Sequence, residues 1–120
     1  EIETSVLVHP RCFADDFFTF TAWLAEVECW MADEGDLAER FVLVGFHPKH
    51  EFADSAGEDD ASDWTNRSPY PMVHVLRQQS LTEAIDSHPS TVQLANDNRD
   101  ALRRLGRRRL EDMVHACTVE

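Results

Sequence analysis

The sequence is poor in the residues that build staples, linkers and membrane anchors. It holds 3 cysteines, Cys12, Cys29 and Cys117, with no Cys-x-x-Cys pair among them. They are too few and too scattered for a disulfide framework, and zinc or thiol redox spacing is absent. A reducing compartment, cytoplasm or organelle matrix, is therefore expected. With 4 glycines and 5 prolines in 120 residues, no Pro/Gly/Ser-rich linker divides the chain, which fits one domain. The longest apolar run, around Phe41 to Phe46, is far too short to span a bilayer, and no charged-then-apolar leader is visible. A soluble chain with no membrane partner is expected, and there is no internal repeat.

Positive charge is also scarce: 11 Lys and Arg stand against 23 Asp and Glu, a formal charge of -12. Such a surface repels phosphate backbones and anionic lipid. Yet Arg99, Arg103, Arg104, Arg107, Arg108 and Arg109 crowd one short stretch. That asymmetry points to docking into a protein assembly through the Arg99–Arg109 region. RNA contact is the weaker option, because no stacking aromatics or known motif accompany the arginines. The plain alternative is a helix face paired with the acidic body.

The apolar content of 42% suffices for a core, and its pattern sets the expected elements. Ile2 and Thr4 to Val8 read as a strand closed by His9-Pro10, since proline cannot continue a ladder. From about Asp15, Phe17, Phe20, Leu24, Val27 and Met31 recur at helical steps, with Asp15 and Asp16 at the positive end and Gly35 as a stop. Trp23, Trp30 and Cys29 fall within this helix and are expected to be packed. Phe41 to Phe46 reads as a second buried strand, again closed by His47-Pro48. The connection length suggests a right-handed crossover between parallel strands, with His9 and His47 at one carboxyl edge.

Beyond it, residues 53–63 are acidic without periodicity and read as a mobile solvated loop; a calcium loop would need alternating carboxylates and a distal bidentate Glu. After Pro69-Tyr70-Pro71, Met72 to Arg77 is expected to begin a short helix. Ser80 to Glu83 has capping-box spacing for a second helix start. A last helix runs from about Ser90, with a break at Gly106. The expected fold class is α/β: a small sheet with a parallel strand-helix-strand unit, followed by a C-terminal helical region.

The densest polar constellation is Phe46-His47-Pro48 with Thr65 to Pro71 and His74. Imidazoles, a guanidinium and an amide are the groups that hold an anion and move a proton near neutral pH. The candidate catalytic residues are His47 and His74, and the candidate ligand-binding residues are Asn66, Arg67, Ser68 and His9. The bland alternative has Arg67 paired with a carboxylate, Asn66 in an Asx turn and the histidines as structural residues. His47, His50 and Asp54 are metal-ligand types, but Pro48 breaks the helix that would align them, so no metal site is expected. No cofactor is implied. Cys12, near a helix start, sits where a thiolate is favoured, but no base can be assigned to it.

Val8-His9-Pro10, Phe46-His47-Pro48 with Phe52, Thr65-Asn66-Arg67-Ser68-Pro69-Tyr70-Pro71-Met72 with His74 and Leu76-Arg77, and Leu102-Arg103-Arg104-Leu105-Gly106 together resemble the family catalogued as domain of unknown function 1415. The resemblance implies no activity, ligand or catalytic residue. It implies that members carry a further N-terminal helix and strand ahead of the segment equivalent to Glu1, an aromatic where His50 stands, and a pattern that Arg107 to Glu120 does not follow. Two functions from different classes remain: a subunit of a larger assembly, or a small enzyme or ligand-binding domain built on His47, His74, Asn66 and Arg67.

Overall fold

The computed structural model describes residues 2–119. Its sheet has three strands, β1 (Thr4–Val8), β2 (Phe41–Phe46) and β3 (Met72–Arg77), in the order β1-β3-β2. The first two match the apolar runs that proline ends. The third corrects the expected helix at Met72. Val73 and Val75 alternate with other side chains across the pleat, a pattern with the period of a strand.

This third strand also overturns the parallel unit. β3 lies between β1 and β2 and pairs antiparallel with both, Val8 and Phe46 each facing Met72 in register. β1 and β2 therefore run in the same direction without sharing a hydrogen bond. The parallel strand-helix-strand unit is therefore not formed, because a later segment fills the place between its two strands.

α1 (Phe17–Asp33) crosses one face of the sheet. It starts where the acidic pair suggested: the Asp16 carboxylate accepts from the Thr19 backbone N–H at 2.9 Å and from its hydroxyl at 2.6 Å, capping the free amides of the first turn. Those bonds hold the Asp16 pKa below the ordinary carboxylate value. Phe20 and Met31 are buried beneath the helix, and Val73 is buried at the centre of the sheet. Trp30 and Cys29 depart from expectation and face solvent, Trp30 being 55% exposed.

The short α2 (Leu37–Arg40) leads into β2, and α3 (Gln78–Ser87) follows β3 directly, two residues ahead of the expected start. Ser80 and Glu83 lie inside it, and Glu83 accepts from the Gln79 amide instead of closing a capping box. α4 (Thr91–Leu105) is capped by the Ser90 hydroxyl and broken at Gly106, whose φ of 81° favours glycine; α5 (Arg107–His115) follows. A second small core joins these helices to a 3-10 helix over Ala61–Asn66: Ala61, Trp64 and Leu110 are buried together, with Leu102 and Val114 against them. Among the described residues no helix is long and apolar enough to cross a membrane.

Gly45 fixes how closely α1 approaches the sheet. A Cβ there would sit 2.9 Å from Leu24 Cδ2 and 3.0 Å from Phe20 Cε1. Leu24 can give way at its tip, but the Phe20 ring is 1% exposed and boxed in. Gly45→Ala is expected to destabilise the fold by about 1–3 kcal/mol, read as a lower urea midpoint at unchanged slope.

Candidate functional site

The candidate residues divide between the two faces of the sheet. His47 follows β2 and is fully buried, its ring 5.4 Å from that of Phe17 and 5.2 Å from that of Phe20. Its Nε2–H donates to the Phe13 carbonyl at 2.6 Å, and its Nδ1 accepts from the Lys49 backbone N–H at 2.9 Å. Both nitrogens are engaged, which fixes the neutral Nε2–H tautomer. Burial pushes the His47 pKa down, in keeping with that form. Phe13, whose carbonyl His47 holds, has a φ of 60°, an uncommon backbone for a bulky residue.

His74 points to the opposite face. It sits mid-strand on β3, and its Nε2 meets the Thr4 hydroxyl from β1. The two candidate acid/base groups thus do not converge. His9 stays near His47's end of the sheet: its backbone N–H donates to the Pro71 carbonyl at 2.9 Å and its ring stands edge-on to Trp23 at 5.9 Å.

The motif loop turns its polar groups onto its own backbone and its neighbours'. Asn66 donates through Nδ2 to the Gly45 carbonyl at 3.3 Å, while its own carbonyl accepts from the His47 N–H at 3.1 Å. Arg67 donates through Nε to the His50 carbonyl at 2.9 Å and lies over the Trp64 ring at 4.0 Å. Ser68 donates to the Tyr70 carbonyl at 2.5 Å. These are the contacts of a scaffold in which each side chain satisfies a backbone group. One cleft remains beside them, about 320 Å3, where Arg67 and Ser68 meet Trp64, Glu111 and His115. Burial lowers the Arg67 pKa.

The acidic stretch is not the expected solvated loop. Asp63 is fully buried and accepts from the Phe52 N–H at 3.0 Å and the Ser55 hydroxyl at 2.9 Å. Asp60 accepts from the Ser62 N–H at 2.9 Å and the Ala56 N–H at 3.1 Å. The arginines then close over it: Arg103 grips Asp60 with Nε and Nη2, both at 3.2 Å. Arg99 grips Asp54 at 2.9 and 3.2 Å and reaches the Ser62 hydroxyl oxygen at 3.1 Å. Arg107 meets Asp59 and Glu111. Two-pronged contacts of this kind are the strong form of an ion pair. The Arg103 contact, with the two backbone amides, holds the Asp60 carboxyl far below the usual carboxylate range. Arg99 and Arg103 are raised in turn by Asp54 and Asp60.

Sequence reasoning offered the pairing of this helix face with the acidic body as the plain alternative, but missed that the partners lie in the stretch it read as a solvated loop; Arg99 and Arg103 are four residues apart on α4, and Arg107 follows the break at Gly106. It also missed His115 and Glu111 beside Arg67, which only the packing of α5 brings there. Among the described residues, no group of three or more His, Cys, Asp or Glu is placed to hold a metal ion.

Together these features define a small antiparallel α/β domain whose acidic loop is locked by its own C-terminal helices. The chain belongs to the family described as Protein of unknown function (DUF1415), whose model matches residues 1–112. That match runs past Arg107 to Asp112, so the family pattern takes in most of α5 and does not stop at Gly106 as expected. No curated protein and no solved structure matches the chain.

Two outcomes follow from burial and charge. His47 and His50 are both held below the ordinary imidazole pKa of 6.5 chiefly by burial. The fold favours the neutral form of each, so their contribution is complete above that pH and is lost as pH falls through and below it. His50 Nε2 is buried without a partner between Phe17 and Phe52. His50→Phe is therefore expected to keep or raise stability and to flatten its fall between about pH 7 and 5. His47→Phe instead strands the Phe13 carbonyl and the Lys49 N–H and should cost about 2 kcal/mol or more. Urea denaturation across that pH range checks both.

The second outcome concerns Asp60. Its depressed pKa stabilises the fold above the unfolded carboxylate value of 3.8, and this contribution is lost as pH falls below it. Asp60→Asn is expected to be about 2 kcal/mol less stable at pH 7. The difference should shrink on acidification, as a thermal melt series from pH 7 to 3 would show.

Proposed function

We propose that the domain is a non-catalytic subunit of a larger assembly, held there by protein contacts through its C-terminal arginines. The observation that carries this reading is the division of the arginine cluster. Arg99, Arg103 and Arg107 turn inward onto the acidic loop. Arg104, Arg108 and Arg109 are exposed and make no ion pair among the described residues. On a chain of net charge -12, three outward guanidinium groups near one helix break form a local exception suited to an acidic protein surface. The engagement of both His47 nitrogens, and the placing of His74 on the other face, support the same reading by removing an acid/base pair.

A second reading rests on the cleft beside Arg67. There a guanidinium, the His115 imidazole and the Glu111 carboxylate line a space of about 320 Å3, the scale of a small ligand. In this reading Arg67 orients an anionic group and His115, rather than His47 or His74, is the imidazole that lines the same space.

Native sizing of the untagged protein in a gentle extract separates the readings. The subunit reading expects elution with a large particle, and release from it by Arg104→Glu, Arg108→Glu and Arg109→Glu combined at an unchanged melting temperature. Elution as one or two chains would overturn it and turn attention to Arg67→Ala in ligand screens.

A further inference from the structure

Two opposite charges face one cleft without meeting across it. Arg67 gives its Nε–H to the His50 carbonyl at 2.9 Å and rests its guanidinium 4.0 Å from the centre of the Trp64 ring. Those two contacts fix the plane of the group. Its Nη1 and Nη2 donate to nothing among the described residues. Glu111, on α5, lines the same space of about 320 Å3. Its Oε1 accepts from Arg107 Nε at 2.5 Å, and its Oε2 has no partner among the described residues. Among those residues no ion pair joins Arg67 to Glu111. A guanidinium and a carboxylate held apart in one cleft leave room for a group that meets both. The walls are built by distant parts of the fold. Pro48, Trp64 and Pro69 form one, Val114, His115 and Thr118 the other, and no described residue of β1 lines the space. Tyr70 fastens the second wall to the first: its hydroxyl accepts from the Val119 N–H at 2.6 Å and donates to the Val119 carbonyl at 3.3 Å.

We propose that this cleft binds a small amino acid with an apolar side chain, its carboxylate on Arg67 and its ammonium on Glu111. The proposal rests on the second reading above, of the cleft as a ligand site, and does not involve the outward arginines. The Nη edge of Arg67 presents the parallel N–H donors that a planar carboxylate accepts in two prongs. A phosphate dianion is the poorer fit. Glu111 stands in the same space and the chain carries a charge of -12, and both oppose added negative charge. A zwitterion adds no net charge, and its ammonium supplies the donor that Glu111 Oε2 lacks. Pro48, Pro69 and Val114 offer an apolar lining for a short branched side chain. At about 320 Å3 the cleft stands at the lower end of the range for small-ligand sites.

The test is titration of the full chain with L-valine, followed at the tryptophan indole N–H signals by proton–nitrogen NMR. Trp64 lines the cleft, whereas Trp23 and Trp30 belong to α1 and serve as internal references. L-Valine is expected to shift the Trp64 signal saturably at millimolar concentration and to leave the other two in place. Isovalerate, which lacks the ammonium, and isobutylamine, which lacks the carboxylate, are each expected to bind about tenfold or more weakly. Glu111→Gln removes one partly exposed partner of Arg107, which keeps Asp59. It is expected to alter the melting temperature little and to erase the preference for valine over isovalerate. Arg67→Lys keeps the charge but loses the two-pronged contact, and is expected to weaken valine about tenfold. Isovalerate binding as tightly as valine, or a valine preference that survives Glu111→Gln, would overturn the amino-acid assignment and leave the anion site standing. A Trp64 shift with inorganic phosphate and none with valine would do the same. No Trp64 shift with valine, isovalerate or phosphate would overturn both.

Discussion

The His47 imidazole ties together three parts of the chain that lie far apart in sequence. It holds the turn ahead of α1 through the Phe13 carbonyl, its own loop through the Lys49 N–H, and, through its backbone, the end of the 3-10 helix at Asn66. Under it lie Phe17 and Phe20, the first turns of α1. A phenyl ring of similar size would fill the space but could not satisfy the carbonyl and amide it faces, so a polar ring in an apolar setting is retained for its geometry. The left-handed backbone of Phe13 is kept by the same contact and by the neighbouring rings of Phe20 and Trp23.

A second constraint is electrostatic. An acidic chain must prevent its carboxylates from driving its own segments apart, and this one folds its densest acidic stretch under its own arginines. Asp60 and Asp63 are buried only because backbone amides, hydroxyls or a guanidinium fork meet each oxygen. The Ala61, Trp64 and Leu110 core then forms beneath the clamp. Burial of apolar surface and neutralisation of charge thus depend on the same two helices.

Much of the local structure was legible in the sequence, and most of the long-range structure was not. β1, β2 and α1 declare themselves because an apolar run closed by proline, or a helical stripe capped by aspartate, is specified by neighbours in the chain. β3 was misread because Pro-Tyr-Pro suits a helix start as well as a strand start, and only pairing on both sides decides between them. The parallel arrangement failed for the same reason: a strand inserted from about 30 residues downstream leaves no mark on the crossover. The unusual string Thr65 to Pro71 did mark a place of dense polar contact, but its residue types do not say whether they face a ligand or the protein's own backbone. His74 was grouped with His47 by proximity to that string, whereas strand alternation sends it to the other face.

The insertion of β3 between two earlier strands also bears on how the chain comes to be folded. β1 precedes β2 and β3 in the chain, yet its partner in the sheet among the described residues is nearly 70 residues away, Val6 pairing with His74. Among the described residues β1 and β2 are joined through β3, so this sheet closes only when Arg77 has appeared. Contacts of such long range make closure slow relative to helix formation. Over that interval apolar strands with unpaired edges are open to contact with other chains.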